Sequence, residues 1–142
     1  MKIMAVDYGD ARTGLAACDR TEFLASPIGV IHEYNFDRTV DQVAYAVEEY
    51  QIGKVVVGHP VNMDGSTGER AQKCALFAEK LRGKVLVPVI LWDERSTTVT
   101  AHQYLNETNT RGKKRKDVVD EVAASIILES YLAYRRNHPD EE

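Results

Sequence analysis

Lys54-Val55-Val56-Val57-Gly58 is the segment that most limits what this chain can fold into. A short β-branched apolar run is a strand buried on both faces, and such strands belong to parallel sheets covered by helices. Its flanks agree. Between Asp37 and Gln51, Val40, Val43, Ala44, Val47 and Tyr50 recur at helical spacing, and Gly53 stands where a helix would stop. After the loop Pro60-Val61-Asn62-Met63-Asp64-Gly65, the segment Ser66-Thr67-Gly68-Glu69 has the S-x-x-E spacing of a capping box. The helix it predicts runs to about Arg82, with Ala71, Cys74, Ala75, Ala78 and Leu81 on one face.

The other elements follow from the same patterns. Lys2 to Tyr8 is a first strand, and Thr13 to Cys18 a second, across the tight turn Gly9-Asp10-Ala11-Arg12. Pro27 to Ile31 is a third, and the short links predict an antiparallel meander. Val85 to Trp92 is a fifth strand, and Ser96 caps a helix to about Glu107. Thr108 to Lys116 reads as a polar, basic loop, and a last helix runs from about Asp117 to Arg135. The expected fold is α/β: a five-stranded mixed sheet, three antiparallel strands then two parallel, with helices on both faces and right-handed crossovers. Residues 1–136 form one domain and residues 137–142 a frayed tail. A chain of 142 residues excludes a two-domain enzyme with a large interdomain cleft. No run approaches the ~18 apolar residues of a membrane span, and Asp7 comes too early for a signal peptide. The expectation is a cytoplasmic protein with no membrane partner. Cys18 and Cys74, far apart and outside any C-x-x-C, are expected to be free buried thiols.

In such a sheet, ligands bind beyond the carboxyl ends of the parallel strands. Acids converge there: Asp7 ends strand 1, Asp93-Glu94 ends strand 5, and Asp120 lies in the first turn of the last helix. Ala123, Ala124 and Ile127 mark that helix's apolar face, and the two alanines permit close approach. Taken singly, each acid has a plainer role: Asp7 as a turn cap, Asp120 beside Asp117 and Glu121 at a helix dipole, Asp93-Glu94-Arg95 as a solvated turn. Gathered together, carboxylates repel unless they are protonated or hold cations. Hard oxygen ligands suit Mg²⁺ or Mn²⁺, and a pair of such ions supports phosphodiester cleavage. Neighbouring strand residues face opposite ways, so one of Asp93 and Glu94 reaches the site. Two strand spacings, about 10 Å, favour the longer Glu94; Asp93 is the alternative.

The net charge is −4, yet Arg111-Gly112-Lys113-Lys114-Arg115-Lys116 reverses the sign locally. It is read as a flexible basic loop gripping a phosphate backbone, against the plain reading of a solvated loop. Arg12 and Arg95 lie near the same edge and are further phosphate contacts. In the loop before the second helix, Asn62 and Ser66 would help present backbone N–H groups to an anion; composition alone favours an ordinary turn. Tyr8 would either stack on a base or belong to the core or rim. His32, His59, His102 and His138 have no ligand or catalytic spacing, and neither G-x-x-x-x-G-K-[ST] nor G-x-S-x-G occurs.

Four ordered motifs carry a family resemblance: Val6-Asp7-Tyr8-Gly9, Gly58-His59-Pro60-Val61-Asn62-Met63-Asp64-Gly65-Ser66, Asp93-Glu94-Arg95-Ser96-Thr97, and Asp120 through Leu128. Over essentially its whole length the chain resembles the YqgF family, small bacterial proteins of ribonuclease H-like fold. Members are described as nucleases maturing the 5′ end of the small-subunit ribosomal RNA precursor, and in older descriptions as Holliday junction resolvases. The resemblance implies that Asp7, Glu94 and Asp120 are the metal-binding catalytic acids, and it raises the standing of Asn62 to Ser66. Tyr8 stands where Phe is common and His59 where Leu is common; neither change removes an acid. The expected function is a metal-dependent endonuclease acting on structured RNA, as a monomer or homodimer. The alternatives are a resolvase cutting four-way DNA junctions and a catalytically silent RNA-binding module. A sugar-kinase or actin-like ATPase would share the Asp7-Tyr8-Gly9 turn, but it closes two domains on a nucleotide.

Overall fold

The computed structural model of the chain describes residues 1–60, 65, 68–93 and 112–138, the side chains of 112–121 excepted. The described strands are β1 (Ile3–Asp7), β2 (Arg12–Cys18), β3 (Ala25–His32), β4 (Lys54–His59) and β5 (Val89–Asp93). The described helices are α1 (Phe36–Glu49), α2 (Glu69–Arg82) and α3 (Gly112–Asn137). The strands form one sheet in the order β3-β2-β1-β4-β5. β1 pairs antiparallel with β2 and β2 with β3, while β1–β4 and β4–β5 are parallel. This is the expected mixed sheet. The helix expected from Ser96 to Glu107 lies outside the described residues.

The pleat divides the core in two. Met4 and Val6 of β1, Tyr8 just after it, and Val55 and Val57 of β4 face α1 and α2, meeting Val43, Val47, Cys74, Phe77 and Leu81. Ile3 and Ala5 of β1, Ala16 and Cys18 of β2 and Val56 of β4 face α3, meeting Ala124, Ile127, Leu128, Tyr131 and Leu132. A strand covered on both faces has no polar side to show, which explains the continuous apolar runs of β1 and β4. Cys18 and Cys74 are free and buried.

Several boundaries differ from expectation, each for a local reason. Strand β5 begins at Val89 rather than Val85, because the Val85 N–H still donates to Leu81 O (3.1 Å) as the end of α2, and Pro88 has no N–H to give a ladder. Helix α1 does not stop on Gly53. It ends at Glu49, with Gln51 in the left-handed region (φ 55°) and the Ile52 N–H donating to Val47 O (2.9 Å). Gly53 serves a different purpose: a Cβ there would lie 2.7 Å from the Met1 side chain. The capping box does not form, since α2 is capped by Gly68, without a side-chain cap bond, and Glu69 is already helical. Helix α3 begins at Gly112, so Lys113, Lys114, Arg115 and Lys116 lie on its first turns and not in a loop. Lys and Arg are good helix formers, and nothing from Gly112 to Asp117 breaks a helix that the apolar face further on stabilises. Residues 139–142 of the expected tail lie outside the described residues.

Glu22 ties three parts of the chain together. Its carboxylate accepts from Arg135 Nε of α3 and from the Met1 amine (3.2 Å) at the start of β1. Glu22 itself sits at φ 60°, uncommon for a non-glycine residue, in a turn where its N–H donates to Asp19 O (3.1 Å). Burial alone would push this carboxyl up, but the bonds from Arg135 and the N-terminal amine outweigh it and hold the group below the usual carboxylate range. A carboxyl lowered by folding adds stability above its ordinary titration range, and the contribution is lost as pH falls through the lowered value. Glu22→Gln is therefore expected to lower unfolding free energy at pH 7 by about 1–2 kcal/mol. Thermal melts from pH 7 down to pH 3 should show the difference shrinking with acid; a constant difference would deny the linkage.

Candidate active site

Asp7 is the last residue of β1 and is nearly buried, with 7% of its surface exposed. Strand alternation puts it with Ile3 and Ala5 on the face that α3 covers. Its neighbour on β2 is Gly14. On the other side, one step past the Val6–Val57 pair, comes Gly58, which in turn pairs with Trp92 of β5. Two residues without side chains thus flank the carboxylate on the neighbouring strands.

The Asp7 carboxylate meets a cation from the opposite layer. Arg70, in the first turn of α2, reaches over the rim so that its Nη2 donates to Asp7 Oδ1 (3.2 Å) and to the Tyr8 carbonyl (3.4 Å). Three residues on, Lys73 Nζ lies 3.3 Å from both oxygens of Asp10 and 3.9 Å from Glu69. Between the β1–β2 turn and this helical turn lies a cleft of about 570 Å³, lined by Tyr8, Gly9, Asp10, Arg12, Arg70 and Lys73 among others. The turn needs its glycine, because a Cβ on Gly9 would stand 2.3 Å from the Arg12 carbonyl oxygen.

Each candidate residue has its place or lies beyond description. Asp7 and Arg12 stand at the carboxyl rim, Arg12 opening β2 opposite His32. Asp93 ends β5 beside His59, and Val89 and Leu91 belong to the α1/α2 core while Ile90 and Trp92 lie against α3. By alternation Asp93 shares the face of Val89 and Leu91, opposite that of Asp7. Asp120 is a backbone position of α3, as are Lys113, Lys114, Arg115 and Lys116. Glu94, Arg95, Asn62, Ser66 and Arg111 fall outside the described residues. Tyr8 is a core residue, stacked on Phe77 (centroids 4.8 Å, 26°) with Phe36 edge-on at 5.8 Å. Burial pushes its phenol up, and the Asp10 charge adds to this; it is not a surface for a base.

Sequence reasoning missed Arg70 and Lys73. Arg70 continues the stripe Cys74, Phe77, Ala78 and Leu81 by one helical step toward the strand-end rim, but an exposed cation there needs no anion, so the sequence carried only its place on the rim.

Residues 1–134 match the family described as RuvX: Holliday junction resolvase. A "Putative pre-16S rRNA nuclease" of Halothermothrix orenii is 42% identical over 135 residues, covering 95% of this chain and 96% of its own. A relative of the same name from Caldanaerobacter subterraneus is 41% identical over 139 residues, 96% of this chain and 99% of its own. Among solved structures, Thermus thermophilus RuvC aligns with TM-score 0.59 at 13% identity, over 96% of this chain and 97% of that one. The fowlpox virus Holliday junction resolvase aligns at 0.56 and 17% identity, over 94% and 99%. Those two likenesses bear on the fold, which is ribonuclease H-like. The sequence matches run nearly end to end at about the same chain length, and on them the chain belongs to the RuvX family, also called YqgF.

Proposed function

We propose that the chain is a divalent-cation-dependent endonuclease that hydrolyses phosphodiester bonds of a ribosomal RNA precursor in the cytoplasm, maturing the 5′ end of 16S rRNA. The observation that carries this reading is the nearly buried Asp7 carboxylate, set at the carboxyl rim between two glycines and beside a cleft lined by Arg12, Arg70 and Lys73 together with Asp10 and Glu69. The names of the full-length relatives supply the substrate.

Asp7, Glu94 and Asp120 would hold the ions. Arg135 of α3 bonds to Glu22, which is tied to Met1 at the start of β1. From Met1 to Asp7 a strand advances roughly 20 Å; from Arg135 back to Asp120 a helix covers roughly 22 Å. Equal lengths from a shared anchor favour Asp120 standing level with Asp7. Asp120 also precedes the buried Ala124 and Ile127 by four and seven residues, on one helical stripe. Alternation along β5 sets Asp93 aside; were the strand parity to continue, Glu94 would face as Asp7 does. Carboxylate oxygens from these three residues would suit a hard cation in kind, and Asp7 accepts a guanidinium at that place. Bound there, a pair of Mg²⁺ or Mn²⁺ ions would supply Lewis acidity at the scissile phosphate.

The chain's own residues position the strand and offset its charge. The first turns of α3 carry Lys113, Lys114, Arg115 and Lys116 and no acid in the first turn. Cations at the positive end of a helix dipole are unfavourable by about 0.3–1 kcal/mol each, and a polyphosphate backbone lying there removes that penalty. The deciding experiment is digestion of a pre-16S rRNA 5′ leader and a synthetic four-way DNA junction side by side with Mn²⁺. Cleavage of the RNA near the mature 5′ end, with the junction left intact, is expected. Symmetric junction cleavage with intact RNA would move the protein to the resolvase class, and no cleavage of either would leave a silent binding module.

A further inference from the structure

We propose that the cleft between the β1–β2 turn and the first turn of α2 is a phosphate subsite, in which Arg70, Lys73 and Arg12 bind a backbone phosphate next to the one presented to Asp7. It rests on the nuclease reading and adds a subsite to it. Three cations from two elements line one cavity, Arg12 from the start of β2, Arg70 and Lys73 from α2. The cavity's 570 Å³ is in the range of small-ligand sites. Arg70 stands between cleft and carboxylate: its guanidinium reaches Asp7 while its side chain is 59% exposed. A planar guanidinium with five N–H donors matches phosphate geometry. The helix end adds positive potential, and Gly68 offers no side chain to cap it.

The carboxylates in the cleft are no barrier. Asp10 and Glu69, which pair with Lys73, are exposed, and exposed pairs contribute about 0–1 kcal/mol. A phosphate displaces them at little cost. Asp10 is therefore a competitor for Lys73, so its removal should strengthen binding. A purely structural role for these residues would not produce that sign.

The test is anisotropy of the full chain in EDTA with two labelled probes, an RNA hairpin bearing a single-stranded 5′ tail and a four-way DNA junction, titrated from 50 to 300 mM KCl. Arg70→Gln and Lys73→Gln should each weaken binding roughly five- to tenfold near 0.1 M salt and lower the salt slope by close to one. Arg70→Lys should keep the parent slope, and Asp10→Asn should tighten binding. Lys84→Gln, whose lysine pairs with Asp41 just beyond the far end of α2, should match the parent. An effect confined to one probe assigns the cleft to that polymer. Unchanged slopes for Arg70→Gln and Lys73→Gln, with a parent that binds and cuts, overturn the subsite and leave the nuclease standing. A parent that neither binds nor cuts overturns both.

Discussion

Asp7→Asn is expected to reduce Mg²⁺- or Mn²⁺-dependent cleavage by three orders of magnitude or more while nucleic-acid binding and the fold persist. Losing an ion ligand removes several kcal/mol of charge stabilisation at the reacting phosphate, and each 1.36 kcal/mol is about tenfold in rate. The fold should tolerate the change because asparagine keeps a carbonyl oxygen where Asp7 Oδ1 accepts from Arg70, and glycines flank the position on both neighbouring strands. The same reasoning separates Asp93, which ends β5, from Glu94. Glu94→Gln should be as damaging as Asp7→Asn, whereas Asp93→Asn, on the opposite face, should stay within a few-fold of the parent. Single-turnover cleavage with folding checked by circular dichroism reads all three. An Asp7→Asn protein that cuts at the parental rate would remove this residue from the chemistry.

The second large effect lies beneath that site. Phe77 is fully buried and stacks on Tyr8, the residue following Asp7, while Phe36 of α1 meets both rings edge-on. Phe77→Ala removes an aromatic side chain from the place where α1, α2 and the end of β1 converge. Such truncations cost about 3–5 kcal/mol, a large share of the roughly 5–15 kcal/mol that stabilises a domain. The melting temperature should fall by roughly 10–15 °C. Phe77→Leu keeps most of the volume and should lose about half as much or less. A drop of only a degree or two for Phe77→Ala would mean that this aromatic cluster does not hold the strand end.

Much of the fold was legible because apolar periodicity is a local signal. The runs through Val6 and Val57 are short and β-branched, which reads as doubly covered strands, and Val40, Val43 and Val47 recur at the spacing of one helix face. Boundaries set by a single backbone bond were not legible. Nothing before Pro88 says that Val85 still belongs to the α2 terminus, and nothing in Gln51 announces that it, and not Gly53, takes the left-handed turn. The basic run reads as a loop because charge density hides helix propensity; packing of Ala124 and Ile127 further along carries the helix back through it. Of the site, Asp7 was visible as an acid ending an apolar strand. Arg70 was not, because its partner is 63 residues away and only the right-handed crossover through α2 brings them together.

The most direct test of the three-carboxylate site is an anomalous difference map from a crystal of the full chain soaked in MnCl₂. The expected result is a peak about 2 Å from an Asp7 carboxylate oxygen, with oxygens of Glu94 and Asp120 in the same coordination sphere. A Mn²⁺-soaked crystal with no peak at Asp7, or with Glu94 and Asp120 directed away from it, would contradict the account.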